Sequence, residues 1–196
     1  MSAALQSPEL MLLDEFLVWD APDGGRWQLV DGEPRAMAPA SEVHGAMQSE
    51  LGRLIGNHLA AAGRRCRAVA NPGVRIGIRS DSNYRIPDLG VTCAPSVPEN
   101  VMMADPLVLI EILSPSNPAE TWINVWAYLT IPTVHEVLVV RSDVVGAQLL
   151  RRNPDGSWPQ VPLVIDSGDV TLDSIGFRTP LTALYTGTWL ADAEPG

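Results

Sequence analysis

Apolar residues recur along this chain with three different periods, and each period predicts a different element. Val43, Met47, Leu51, Leu54, Ile55 and Leu59 keep helical spacing, which predicts a long helix with one stripe facing a core. Ser41 stands where an N-cap belongs, Glu42 sits at the positive end, and "AAAGRR" closes the segment. "PLVLIEILS" is a nearly continuous apolar run, the pattern of a strand over 106–113 buried on both faces. "GVRIGIR" alternates, with Val74, Ile76 and Ile78 on one face and Arg75 and Arg79 on the other, which predicts a half-buried strand. "YRIPDLGVTC" reads as extended but is interrupted by Pro87, as at a bulge or an edge.

The remaining segments fill in around these. "LMLLDEFLVWD" predicts a short amphipathic helix, and "WQLVDGEPRAMA" two short strands flanking a turn at Asp31-Gly32. "CRAVA" is a short strand. Asn117 as cap, Pro118 at the first position and Glu120 three residues after the cap start a second substantial helix. Its packing stripe is expected to be Trp122, Val125, Trp126 and Leu129. "HEVLVV" is a further buried strand, "GAQLLRRNPDGSWPQ" a strand and turn, and a last helix is expected near 180–185. Helices and strands alternate, so the fold class is α/β, with a mixed sheet and at least one long helix lying on it.

Composition narrows the class. With 196 residues, 46% hydrophobic and 18% charged, the chain is expected to form one domain over 10–190, flanked by flexible ends at 1–9 and 191–196. No apolar run reaches the ~18–20 residues of a membrane span, and "MSAALQSPEL" lacks the features of a signal peptide, so a cytoplasmic protein without membrane contact is expected. Cys66 and Cys93 form no CxxC pair; two buried reduced thiols are predicted. The net charge of −10 argues against wholesale nucleic-acid binding. Its distribution is uneven. Residues 53–85 hold seven arginines against Asp81 alone, a basic segment that fits either a phosphate-facing surface or ordinary solvated arginines. The chain has no lysine.

Glu111 is the anomaly in this pattern, because a lone carboxylate inside a buried strand must be neutralised, paired with an arginine, or set against a cation. Asp88 lies on the preceding extended segment, 23 positions earlier. If the two segments pair, two carboxylates meet and repel unless a hard divalent ion such as Mg2+ lies between them, with the backbone carbonyl beside Glu111 as a further donor. Taken alone, Asp88 is an ordinary turn residue, Glu33 an exposed post-turn residue and His44 a polar helix-end residue. His58 and His135 show no ligand spacing and read as structural. No GxSxG, P-loop, GxGxxG or HExxH motif is present.

"WQLVDGEPRAMAP", "EVHG" opening a helix, "RIPDLGV", "LVLIEILSPS", "WAYLTIPTVHEVLVV" and "LLRRNPDGSW", in that order, resemble the bacterial Uma family. Those are restriction-endonuclease-like proteins of the PD-(D/E)xK nuclease superfamily, and the likeness spans residues 10 to 190. The resemblance implies a mixed central β-sheet flanked by helices, and an Mg2+- or Mn2+-dependent endonuclease hydrolysing the phosphodiesters of DNA. It implies Asp88 and Glu111 as metal ligands, with Glu33, His44 and Asn124 completing the site. The oligomeric state is not readable from the sequence; a homodimer is one candidate assembly, since dimers are the commonest closed form and nucleases cutting two strands often use one. The superfamily lysine, two residues after the glutamate, is Leu113 here. The later position at which such sequences carry it matches Asn124, which supplies no positive charge. The alternative is therefore a catalytically inactive nuclease-fold module that binds DNA or protein.

Overall fold

The computed structural model describes residues 10–192; the expected flexible segment 1–9 and residues 193–196 of the expected tail lie outside the described residues. The chain forms α1 (Leu13–Leu17), β1 (Trp27–Val30), β2 (Glu33–Ala36), α2 (Glu42–Ala61), β3 (Arg67–Ala70), β4 (Val74–Arg75), β5 (Tyr84–Arg85), β6 (Leu89–Thr92) and β7 (Pro106–Leu113). After these come α3 (Pro118–Tyr128), β8 (Glu136–Arg141), β9 (Ala147–Arg151), β10 (Leu163–Ile165), β11 (Asp169–Leu172) and β12 (Phe177–Pro180). Short 3-10 turns follow at Leu181–Tyr185 and Trp189–Asp192.

A six-stranded mixed sheet in the order β10-β9-β8-β7-β6-β3 is the backbone of the domain. β7 and β8 run parallel, joined by α3, while β6 and β9 flank them antiparallel. The strand predicted from "PLVLIEILS" is thus central. Its side chains alternate between two layers, as the pleat requires. Val108, Ile110 and Ile112 pack with Met47, Leu51, Ile55 and Leu59 of α2, whereas Leu109 packs with Val125 and Tyr128 of α3. Glu111 follows Leu109 by two residues and so belongs to the α3 face. The α2 stripe forms as its periodicity predicts, and the Ser41 hydroxyl accepts from His44 N at 3.2 Å.

A smaller sheet, β2-β1-β5-β4, stands beside it. Its β1–β2 hairpin turns at Asp31 and Gly32, both at positive φ (51° and 85°), as a tight two-residue hairpin loop demands. Pro87 is neither a bulge nor an edge residue within one strand. It lies between β5 and β6, where the chain leaves the smaller sheet and enters the larger one.

Four further expectations are corrected. "GVRIGIR" forms only the two-residue β4, and Ile78 is 59% exposed; the chain turns away at Gly77, where a Cβ would lie 2.1 Å from the Thr130 carbonyl oxygen. Asn117 makes no side-chain cap, because its amide bonds Glu120 Oε2 instead. The buried face of α3 is Asn124, Val125 and Tyr128, while Trp126 is 45% exposed and tilts against Trp122. Cys66 and Cys93 are joined in a disulfide. They follow directly from the Arg67↔Thr92 pair of the β3–β6 ladder, so opposite positions on neighbouring strands bring the sulfurs together, and Cys93 is exposed rather than buried. No helix of the described residues is long and apolar enough to cross a membrane.

Candidate active site

The β6–β7 register decides where the two acidic residues lie. Leu89 pairs with Ile110, Gly90 with Leu109 and Val91 with Val108. Carrying that register one residue further sets Asp88 directly opposite Glu111, and opposite residues on antiparallel strands share a face. Both are nearly buried, Asp88 at 8% and Glu111 at 7% exposure. The expected meeting of the two carboxyl groups is what the fold produces.

Asp88 is held from four directions. His44 Nε2, from the first turn of α2, lies 2.8 Å from Oδ1. The Ile112 amide donates to Oδ2 at 2.7 Å. The Asp88 carbonyl accepts from Gln48 Nε2 at 2.6 Å and from Asn71 N at 2.9 Å. Glu111 is held at one oxygen, where the Tyr128 hydroxyl donates to Oε1 at 2.6 Å. No guanidinium pairs with it among the described residues. Burial, and then the negative charge of Asp88, push the Glu111 carboxyl well above the ordinary carboxylate range, against the pull of the Tyr128 bond. Burial and the neighbouring Glu111 likewise push the Tyr128 phenol up.

Glu136 shows what a structural buried carboxylate looks like in the same fold. It is 1% exposed, pairs with Arg151 Nε at 2.8 Å, and accepts from the amides of Asp173 and Ser174 and the Ser174 hydroxyl. Every lone pair there has a reason. Glu111 instead has the Tyr128 hydroxyl and a negative neighbour, an arrangement that favours its protonated form unless a cation faces it.

The pair opens into a cleft of about 610 Å3 at the end of the large sheet. Its walls are the first turns of α2 and α3, the loops at 37–41 and 114–117, and the near edge of the hairpin. His44, Asp88, Glu111 and Asn124 all line it. Asn124 is 8% exposed, and its amide has no partner among the described residues, so its donors and acceptor face the cleft. Glu33 does not join them: it points to solvent from β2 and pairs with Arg35 at 3.3 Å. The hairpin's contribution is Gln28 of β1, which lines the cleft and accepts from Ile86 N at 3.1 Å. Leu113 is likewise absent from the cleft wall, so neither lysine position places a cation there. Tyr128 and Gln48 were also missed in the sequence, although each lies one helical turn after a predicted site residue, Asn124 and His44 respectively. His58 is structural as expected, its Nε2 lying 3.0 Å from the Ile175 carbonyl oxygen.

The basic segment at 53–85 is partly neutralised within the fold. Arg53 pairs with Glu50, Arg75 with Asp81 and Arg79 with Asp31, and Arg85 is buried at 3% exposure. Burial pulls the Arg85 guanidinium below its ordinary value.

Residues 13–182 match the Uma2 family, described as "Putative restriction endonuclease". This chain belongs to that family. An uncharacterized protein of Synechocystis, slr1290, is 30% identical over 179 residues, covering 89% of this chain and 90% of that protein. A crystal structure from Anabaena variabilis, titled as a putative nuclease belonging to DUF820, superposes with a TM-score of 0.71 at 21% identity, over 90% of this chain and 98% of that one. This likeness shows the fold, a nuclease-like mixed sheet with helices on it. In this Uma2 member Pro87-Asp88 precede β6, Glu111 lies in β7 and His44 in the first turn of α2.

Proposed function

We propose that this Uma2 protein is a divalent-metal-dependent endonuclease acting on DNA phosphodiesters, with Asp88 and Glu111 as metal ligands and Mg2+ or Mn2+ as the ion. The observation that carries this reading is the nearly buried Asp88–Glu111 pair, set opposite each other on the wall of a cleft with no protein cation on Glu111.

The donor set fits such an ion. The described residues hold no group of three or more His, Cys, Asp and Glu side chains suited to a metal, but Mg2+ is typically held by one or two carboxylates, with waters and substrate phosphate oxygens filling the rest. When bound, a hard divalent ion supplies an activated water and stabilises charge developing on the phosphate. The protein's own residues supply geometry. His44 and the Ile112 amide fix the Asp88 rotamer, Tyr128 fixes one oxygen of Glu111, and the open amide of Asn124 is placed to orient a water or a phosphate oxygen in the cleft.

One observation favours a second reading, a DNA- or protein-binding module that does not cut. Both Asp88 carboxylate oxygens already have hydrogen-bond partners, and Asn124, at the position the resemblance gives to a lysine, supplies no positive charge. Incubation of supercoiled plasmid with Mg2+, with Mn2+ and with EDTA separates the two. The hydrolytic reading expects metal-dependent nicking that Glu111→Gln abolishes. Intact plasmid under every condition, or equal nicking by the variant, leaves only the binding module.

A further inference from the structure

The cleft is acidic where its substrate would be acidic too. Asp88, Glu111 and Glu120 line it in a protein of net charge −10 without a lysine. A metal ion offsets part of this repulsion, but a polyanion also needs a cation that meets its phosphates directly. All thirteen of the chain's basic residues other than histidine are arginines, so that cation must be an arginine, and the structure narrows the choice.

Eleven of the thirteen already bond a carboxylate or a carbonyl oxygen among the described residues. Arg26 and Arg65 do not. Arg65 follows the C-terminal end of α2, a 20-residue helix and therefore about 30 Å long, whose other end is at the cleft. Arg26 lines the cleft itself and is the only arginine that does so among the described residues.

The backbone around Arg26 is fixed while its side chain is not. Its carbonyl accepts from Met37 N at 2.8 Å, which ties it to the loop at the cleft's lip. Asp23 Oδ1 accepts from Gly25 N at 2.9 Å and from Trp27 Nε1 at 2.8 Å, bracketing Arg26 on both sides. The guanidinium projects from this anchored position, exposed and without a partner among the described residues. An arginine so placed keeps its charge at any working pH and presents a planar fork matched to two phosphate oxygens.

We propose that Arg26 is the phosphate-binding residue of this site, gripping the DNA backbone at the mouth of the cleft and supplying the positive charge that Asn124 and Leu113 do not. This rests on the nuclease reading above. Gln28, two residues further along, lines the same cleft but is buried and bonded to Ile86 N, so the exposed contact at this edge falls to Arg26.

The test is a salt series. Binding of a labelled 20-base-pair DNA duplex by wild type, Arg26→Ala, Arg26→Lys and Arg65→Ala is followed by fluorescence anisotropy, with Ca2+ present, from about 50 to 200 mM salt. Losing one phosphate contact should weaken binding about tenfold at the low-salt end and lower the slope of log K against log salt by about one. Arg26→Lys should retain the wild-type slope, and Arg65→Ala should match wild type. If Arg26→Ala keeps the wild-type slope and affinity, Arg26 is not the contact, whatever the plasmid assay shows. If wild type neither binds the duplex nor nicks plasmid, both this assignment and the nuclease reading fail together. Nicking abolished by Glu111→Gln beside an unaltered Arg26→Ala slope overturns Arg26 alone.

Discussion

The Tyr128 hydroxyl donates a 2.6 Å hydrogen bond to Glu111 Oε1 from the helix that follows Glu111's own strand. Both groups are buried, and the bond opposes the burial and the Asp88 charge that push the Glu111 carboxyl up. Tyr128→Phe should therefore cost more than a surface hydrogen bond, because it strips a buried carboxyl of its donor. A loss of about 1–3 kcal/mol is expected, read by urea unfolding in EDTA. An unchanged midpoint would show that the glutamate has another partner.

Glu111→Gln isolates charge from shape. The amide keeps an oxygen for Tyr128 but removes the repulsion with Asp88, so in EDTA the variant should melt higher than wild type. A lower melting temperature would mean that the negative charge is itself stabilising, as in an ion pair.

The same displacement sets a pH dependence. The Glu111 carboxyl titrates well above the ordinary 4.5 in the folded protein, so between that value and its raised one the native state binds the extra proton. Stability in EDTA should be full below about pH 4.5 and fall as pH rises through the raised value. Glu111→Gln should flatten this slope, and so should saturating Mg2+, which favours the ionised form. A wild-type melting temperature that climbs over the same window, with no difference from the variant, would contradict the assignment.

The Cys66–Cys93 bond closes a loop with a sequence separation of 27. In the chain-entropy account a loop of that size is worth about 3.5 kcal/mol. Reduction with dithiothreitol should lower the melting temperature by roughly 7–14 °C for a chain of this size. Cys93→Ser should reproduce that loss and abolish the response to reductant. A melt indifferent to reductant would show that the thiols are not joined in solution.

Much of this architecture is written in residue periodicity. The α2 stripe and the apolar run of β7 are long enough for the pattern to outweigh local noise, and both sit where their spacing places them. The lone glutamate in β7 marked the site because no other polar residue interrupts that run. What sequence could not show is what depends on neighbours distant in the chain. The β4 strand stops because Thr130 crowds Gly77, a contact between residues 53 positions apart. The cysteines pair because β3 and β6 do. Trp126 turned outward because Tyr128, bonded to Glu111, took the inward face of α3. The resemblance implied Glu33 for the site, but in the hairpin Glu33 pairs with Arg35 and it is Gln28 that lines the cleft.

Isothermal titration of the chelator-treated protein with Mg2+ and with Mn2+ tests the central assignment most directly, comparing wild type with Asp88→Asn and Glu111→Gln. Asparagine at 88 keeps one oxygen for the Ile112 amide, so the comparison reports charge rather than unfolding. A single site in wild type, weakened at least about tenfold in each variant, is the predicted result. Equal binding isotherms for all three proteins would contradict it.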